Sequence, residues 1–216
     1  MLLKAYAVVL SLLFTPQTQV VDIGLASQVL DASVLIRIKQ YRIRDDRSVQ
    51  YRMGGCSGTY ISNTEILTAA HCFSNPVANI WVRDIHKQSR PAVLLKISPE
   101  KDLALLAVLG PHKHAYAKVS KQAPRIGSQV VNVGSPIVFE FLVSEGVVAA
   151  TDFKDDEFKA HYLITTAMIN PGSSGGGAFN SDGELIGVNT MTIGSPFGWS
   201  GISMAVNHNT ITEFLK

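Results

Sequence analysis

Short apolar runs of strand length alternate with turn residues along most of this chain, and no long helical repeat of apolar positions competes with them. The segments 34–38, 93–97, 129–133 and 185–189 are rich in branched residues and close on turn residues, which predicts strands. Charged stretches at 42–47 and 151–161 interrupt the pattern and read as solvated loops. A short helix is predicted at the C-terminal end, capped by Asn209 and running to about Leu215, with Ile211, Phe214 and Leu215 on one face. At the other end, Lys4 precedes an apolar core that reaches Phe14 and breaks at Pro16, the pattern of an export signal. That core is too short to span a bilayer comfortably. The small-x-small sequence Gly24-Leu25-Ala26 fits a cleavage site but lies late, so a retained anchor and a buried first strand stay open as alternatives.

Composition narrows the class. With 216 residues, 46% apolar and 17% charged, the chain can bury a substantial core as a single all-β domain. A net charge of +2, with no basic run interleaved with aromatics, gives no reason to expect a nucleic-acid partner.

Three segments carry candidate chemistry: Leu67-Thr68-Ala69-Ala70-His71-Cys72, Lys101-Asp102-Leu103-Ala104-Leu105-Leu106 and Asn170-Pro171-Gly172-Ser173-Ser174-Gly175-Gly176. In chain order they offer His, Asp and Ser. They resemble the chymotrypsin-like serine peptidases, most closely the compact bacterial HtrA-like branch. Gly134-Ser135-Pro136, Ser144-Glu145-Gly146-Val147-Val148 and the run 183–190 resemble second-barrel segments of the same group. The spacing agrees, since His71 and Asp102 are 31 positions apart and Ser174 follows 72 further on. The resemblance covers about residues 30–208. It implies two six-stranded antiparallel β-barrels and a short C-terminal helix. The expected layout is a signal peptide or anchor over 1–26 and a peptidase domain over 27–216, with barrel one at about 27–109 and barrel two at about 125–206. The chain ends soon after the second barrel, so the PDZ domain that usually follows in HtrA-like proteins is expected to be missing.

The chemistry explains why such residues converge. A serine hydroxyl is a poor nucleophile at neutral pH until a base within hydrogen-bond reach takes its proton. His71 is the candidate base, and the Asp102 carboxylate would fix its tautomer and stabilise the imidazolium. Gly172 lets the chain turn so that the amides of Gly172 and Ser174, with Ser173 in the same turn, can face a developing oxyanion. Only Ser174 matches the family's nucleophile turn, Gly-x-Ser-Gly-Gly. Ser173 takes the position of the aspartate that pairs with a new N-terminus in zymogen-activated relatives, so no such activation is expected. The α/β-hydrolase elbow, Gly-x-Ser-x-Gly, is also satisfied. However, only 42 residues follow Ser174, offering Asp182 and His208 without room for the intervening units.

The resemblance bears on two further features. Cys56 and Cys72 are the only cysteines, and their placement is similar to the disulfide that braces the histidine loop in trypsin-like enzymes. Two free buried thiols are the alternative. The family register puts Met168 on the floor of the primary specificity pocket, with Thr190, Met191 and Met204 on its walls and Asn189 where glutamate-specific relatives carry histidine. Apolar side chains of small or medium size are therefore expected as substrate. His112 and His114 form a weak pair that no nearby cysteine or carboxylate cluster completes, so no metal is expected. Together these features predict an exported serine endopeptidase that acts on polypeptide without a cofactor. An inactive peptide-binding relative and a serine esterase are the alternatives.

Overall fold

The computed structural model describes residues 22–136, 139–154, 160–195 and 198–216, and its strands close into two six-stranded antiparallel barrels. The first contains β1 (Ser33–Ile43), β2 (Val49–Tyr60), β3 (Glu65–Thr68), β4 (Val77–Asp84), β5 (Ser89–Ser98) and β6 (Leu103–Val108), closed in the order β1-β2-β3-β6-β5-β4. The second contains β7 (Gln129–Gly134), β8 (Leu142–Lys154), β9 (His161–Thr165), β10 (Gly177–Phe179), β11 (Leu185–Ser195) and β12 (Gly198–Asn207), closed in the order β10-β11-β12-β9-β8-β7. The expected all-β, two-barrel architecture is present, and the four predicted strands lie within β1, β5, β7 and β11.

Each barrel has its own apolar interior, exemplified by Ile36, Ile66 and Leu106 in the first and Val130, Leu163 and Ile186 in the second. A third cluster joins them. Leu67 and Leu103 from the first barrel pack with Val131, Phe179 and Val206 from the second. Each such buried side chain contributes about 1.5–3 kcal/mol, so this shared layer holds the barrels in one relative position and with them the two walls of the cleft.

The two helices depart from expectation. Helix α1 (Ile23–Asp31) was not anticipated; Asp22 caps it through Gly24, and it buries Leu25 and Val29 one turn apart in the shared layer. The expected boundary at residue 26 therefore falls inside a packed helix. Helix α2 (His208–Leu215) is capped by Asn207, whose side chain accepts the Thr210 amide at 3.0 Å, rather than by Asn209. The shift arises because β12 runs without interruption to Asn207. Ile211 and Phe214 are buried as expected.

Both charged stretches also carry more strand than a loop reading allows. Ile43 pairs with Val49 and Lys154 with His161, because cross-strand hydrogen bonding continues past the point where burial stops. Residues 1–21, on which the export-signal expectation rests, lie outside the described residues. Among those described, no helix is long and apolar enough to cross a membrane.

Cys56, on β2, is bonded to Cys72, in the 3-10 turn Ala70–Phe73 that follows β3. The cross-link closes a loop of sequence separation 16. For a loop of that length, chain entropy predicts that reduction lowers stability by about 3 kcal/mol, read from urea unfolding with and without reductant. Identical midpoints in the two conditions would contradict that expectation.

Candidate active site

One strand pair brings the first two site residues together. β3 and β6 are neighbours, with Thr68 opposite Ala104, so the turn after β3 lies beside the turn before β6. The first turn carries His71 and the second ends at Asp102. Asp102 sits in the left-handed region at φ 50°, which aspartate tolerates better than most residues. From there its Oδ1 accepts the His71 backbone N–H at 2.9 Å, while the His71 ring Nδ1 lies 2.9 Å from both carboxyl oxygens. The Thr190 hydroxyl donates to Oδ2. Burial alone would raise the Asp102 pKa. The His71 ring and charge, the Thr190 hydroxyl and the His71 amide outweigh that effect and hold the carboxyl below its ordinary value.

Ser174 stands on a turn held from both sides. Within it, the Ser173 N–H donates to the Asn170 carbonyl at 2.8 Å, closing a type II turn with Pro171 second and Gly172 third at φ 103°. Gly175, at φ 83°, donates to the Asn189 carbonyl at 2.7 Å, and a β-carbon there would lie 2.1 Å from Thr68 Oγ1 and 2.4 Å from the Ser57 carbonyl oxygen. No other residue fits that position. The first barrel grips the turn through buried Ser57, next to the disulfide. Its N–H donates to the Ser174 carbonyl and its hydroxyl to the Gly172 carbonyl, both at 2.8 Å, and its Oγ accepts the Ser135 amide at 2.8 Å.

These bonds sort the turn's amides. Ser173 was expected to join an oxyanion site, but its N–H is occupied by Asn170 and its side chain is buried. Among the described residues, no acceptor meets the amides of Gly172 or Ser174. The Ser174 hydroxyl donates to the Thr190 carbonyl at 3.3 Å and makes no hydrogen bond with His71.

A cavity of about 240 Å³ opens beside Ser174, lined by Ile169, Asn170, Pro171, Thr190, Met191 and Thr192. Thr190 and Met191, two of the four residues assigned to the specificity pocket from sequence, are among its lining. Met168 is not; it is 42% exposed, and Ile169, 4% exposed, takes the wall instead. Met204 is in the shared core rather than the cavity. The cause is a bulge: Asn189 pairs with Ala205 and Met191 with Met204, leaving Thr190 as an extra residue that re-aims the side chains around it. Asn189 is buried behind the Ser174 turn, with its side chain donating to the Gly177 carbonyl at 3.4 Å.

The remaining candidates lie apart from this site. His114 was expected on an exposed loop, yet it stacks on Tyr60 with ring centroids 4.0 Å apart and pairs with Asp84 at 3.5 Å. His112 is held by the Gly110 carbonyl at 2.9 Å. Asp182 lies in the turn between β10 and β11, and His208 begins α2, where burial lowers its pKa despite an opposing pull from Asp152. Neither bonds to Ser174, His71 or Asp102. Sequence reasoning missed Ser57 altogether. A serine between Cys56 and Gly58 was the only available signal, and its carbonyl partner lies 115 positions away.

Comparison with known proteins places these features in context. The trypsin-like peptidase domain family matches residues 56–188. A probable periplasmic DegP-like serine endoprotease from Pseudomonas fluorescens is 30% identical over 164 residues, covering 76% of this chain and 34% of that protein. The mitochondrial serine protease HTRA2 of Drosophila ananassae is 32% identical over 194 residues, covering 86% of this chain and 44% of the relative. The chain thus spans between a third and a half of the length of these two relatives. A solved HtrA-type protease with a decapeptide shares the fold at a TM-score of 0.80 and 21% identity, over 89% of this chain and 64% of that one.

Proposed function

The chain belongs to the trypsin-like peptidase family, and from that premise we propose that it is a serine endopeptidase in which Ser174 is the nucleophile, His71 the general base and Asp102 its orienting partner. The observation that carries this proposal is the His71 ring, held 2.9 Å from both oxygens of a carboxylate that its surroundings keep ionised. With Nδ1–H bonded to Asp102, the other ring nitrogen is left to accept a proton.

The steps follow from that arrangement. The Ser174 hydroxyl swings from the Thr190 carbonyl towards His71, gives up its proton and attacks the scissile carbonyl carbon. The carbonyl oxygen becomes an oxyanion facing the Gly172 and Ser174 amides, which have no other acceptor among the described residues. His71 returns the proton to the leaving amine as the peptide bond breaks, and water then hydrolyses the acyl-enzyme by the reverse sequence of transfers. No step requires a metal or an organic cofactor. The walls of the neighbouring cavity, Ile169, Met191 and Thr192, suit an apolar side chain of small or medium size just before the scissile bond, and among the described residues no carboxylate lines the cavity to pair with Arg or Lys. Export is part of the same proposal, supported by the Cys56–Cys72 bond, the basic-then-apolar start of the chain and the relative named as periplasmic. A retained N-terminal anchor is the alternative to a cleaved leader.

A fluorophosphonate probe tests the proposal directly. Labelling of the native protein that persists in Ser173→Ala and vanishes in Ser174→Ala is the expected result. A folded native protein that takes no label would favour a peptide-binding protein without turnover. Label uptake together with hydrolysis of simple esters but not of peptides would favour an esterase.

Ser57 enters as a positioning residue. Its hydroxyl holds the Gly172 carbonyl, and so the peptide plane that lies between the Gly172 and Ser174 amides. Deleting an oxyanion donor outright costs about 100-fold to 1,000-fold, and loosening one costs less, so Ser57→Ala is expected to lower kcat about tenfold with KM little changed. Loss confined to KM would remove Ser57 from this role.

A further inference from the structure

Two cavities flank the oxyanion turn, and Pro171 lines both. On one side lies the cavity beside Ser174 and Thr190. On the other, bounded by Gly172, lies a groove of about 680 Å³, nearly three times larger. A substrate whose scissile carbonyl points at the Gly172 amide and whose preceding side chain enters the smaller cavity must send its following residues the other way, into the groove.

The floor of the groove is open because two glycines leave it so. Gly54 and Gly55 line it, and a β-carbon on Gly55 would meet no atom within 4 Å. Opposite Gly55 on β1 stands Arg37, directed outward while its neighbours Ile36 and Ile38 point into the barrel. Met53 and Phe139, both exposed, add apolar walls. The lining holds Arg37 and Glu140, and the excess of positive charge comes from Arg83 and Lys39 just beyond it. Arg37 and Arg83 share the single carboxylate of Glu140, at 3.6 Å and 3.1 Å, and Lys39 follows on the outer face of β1 above the Tyr51 ring.

We propose that this groove binds the residues that follow the scissile bond and selects an acidic side chain among the first three of them, through Arg37. The proposal rests on the endopeptidase assignment above. Each residue of extended chain advances about 3.3 Å, so three residues reach roughly 10 Å from the cleavage point, within a groove of this size. A carboxylate meeting a guanidinium makes charge-assisted hydrogen bonds. Arg37 is half exposed, so the preference must weaken with salt.

The test uses the full chain and peptides that are identical up to a valine before the scissile bond, with Glu or Lys at each of the three following positions. At low salt, Glu is expected to exceed Lys about fivefold in kcat/KM at one of these positions at least, and the ratio is expected to fall towards one in Arg37→Gln and in 0.5 M salt, about the outcome for a solvent-screened pair. Gly55→Leu, which fills the floor without backbone strain, is expected to lower kcat/KM for these peptides about tenfold more than for a valine ester that ends at the scissile bond. Equal rates for Glu and Lys, or equal losses on peptide and ester in Gly55→Leu, would overturn the proposal. If no peptide is cleaved, the endopeptidase assignment fails separately. Fluorescence anisotropy of the same labelled peptides on Ser174→Ala protein then tests the groove by itself, with tighter binding of Glu peptides supporting it and indifference refuting it.

Discussion

Ser174→Ala is expected to reduce peptide hydrolysis by at least about 10,000-fold while leaving the thermal unfolding midpoint close to that of the native protein. The magnitude follows because the nucleophile and its base act as a unit, so removing either forfeits the whole acyl-enzyme route and leaves only what binding and the oxyanion amides supply. The unchanged midpoint follows from how the hydroxyl is held. Its one bond, to the Thr190 carbonyl, is 3.3 Å long, whereas the backbone of Ser174 is fixed independently by the Ser57 amide at 2.8 Å. Single-turnover kinetics with a peptide substrate, alongside a thermal melt, would measure both. A loss of less than about tenfold would mean that another group attacks the carbonyl, since no intact triad tolerates so mild a deletion.

Asp102→Asn is the second large effect, expected to lower kcat by about 10,000-fold with the fold intact. Asparagine suits the left-handed backbone at φ 50° and fills the same volume, so strain does not enter. The hydrogen-bond pattern is what breaks. Asp102 accepts from the His71 amide, the His71 ring and the Thr190 hydroxyl at once, and an amide has only one oxygen with which to do so. If its NH2 faces Nδ1, the imidazole must carry its proton on the other nitrogen, the one that has to accept from Ser174. Stability should show the corresponding pH dependence. Because the native pKa of Asp102 is held below the ordinary value of 3.8, the advantage of the wild type over the variant is present above that value and is lost as the pH falls through the native one. Equilibrium unfolding at pH 7 and at successively lower pH reads this directly, and a gap that widened on acidification would contradict it.

Legibility in the sequence followed the distance over which each feature is encoded. The Ser174 turn was readable as a candidate because its chemistry is contiguous: Pro171, Gly172, Ser174 and Gly175 each impose a local backbone or side-chain requirement within a few positions. The His71 and Asp102 segments were readable because each abuts an apolar strand, β3 or β6, that anchors it. Helix α1 escaped because Leu25 and Val29, one turn apart, merge into an apolar N-terminal region where helix and strand look alike. The pocket escaped for a different reason. Counting six residues back from Ser174 pointed to Met168, but side-chain direction in that segment is set by its packing, which turns Ile169 inward.

What the sequence by itself determined was the class of architecture, the three segments that carry the candidate chemistry and the cysteine pair, because apolar alternation, glycine turns and residue chemistry are properties of short stretches of chain. Only the tertiary structure decided which side chains meet. The bulge at Thr190 aims its hydroxyl at Asp102 and withdraws Met204 into the core, and the packing of one barrel on the other brings the Ser57 hydroxyl to the Gly172 carbonyl. Such contacts depend on register and on the shared apolar layer between the barrels, and neither is written in any single segment.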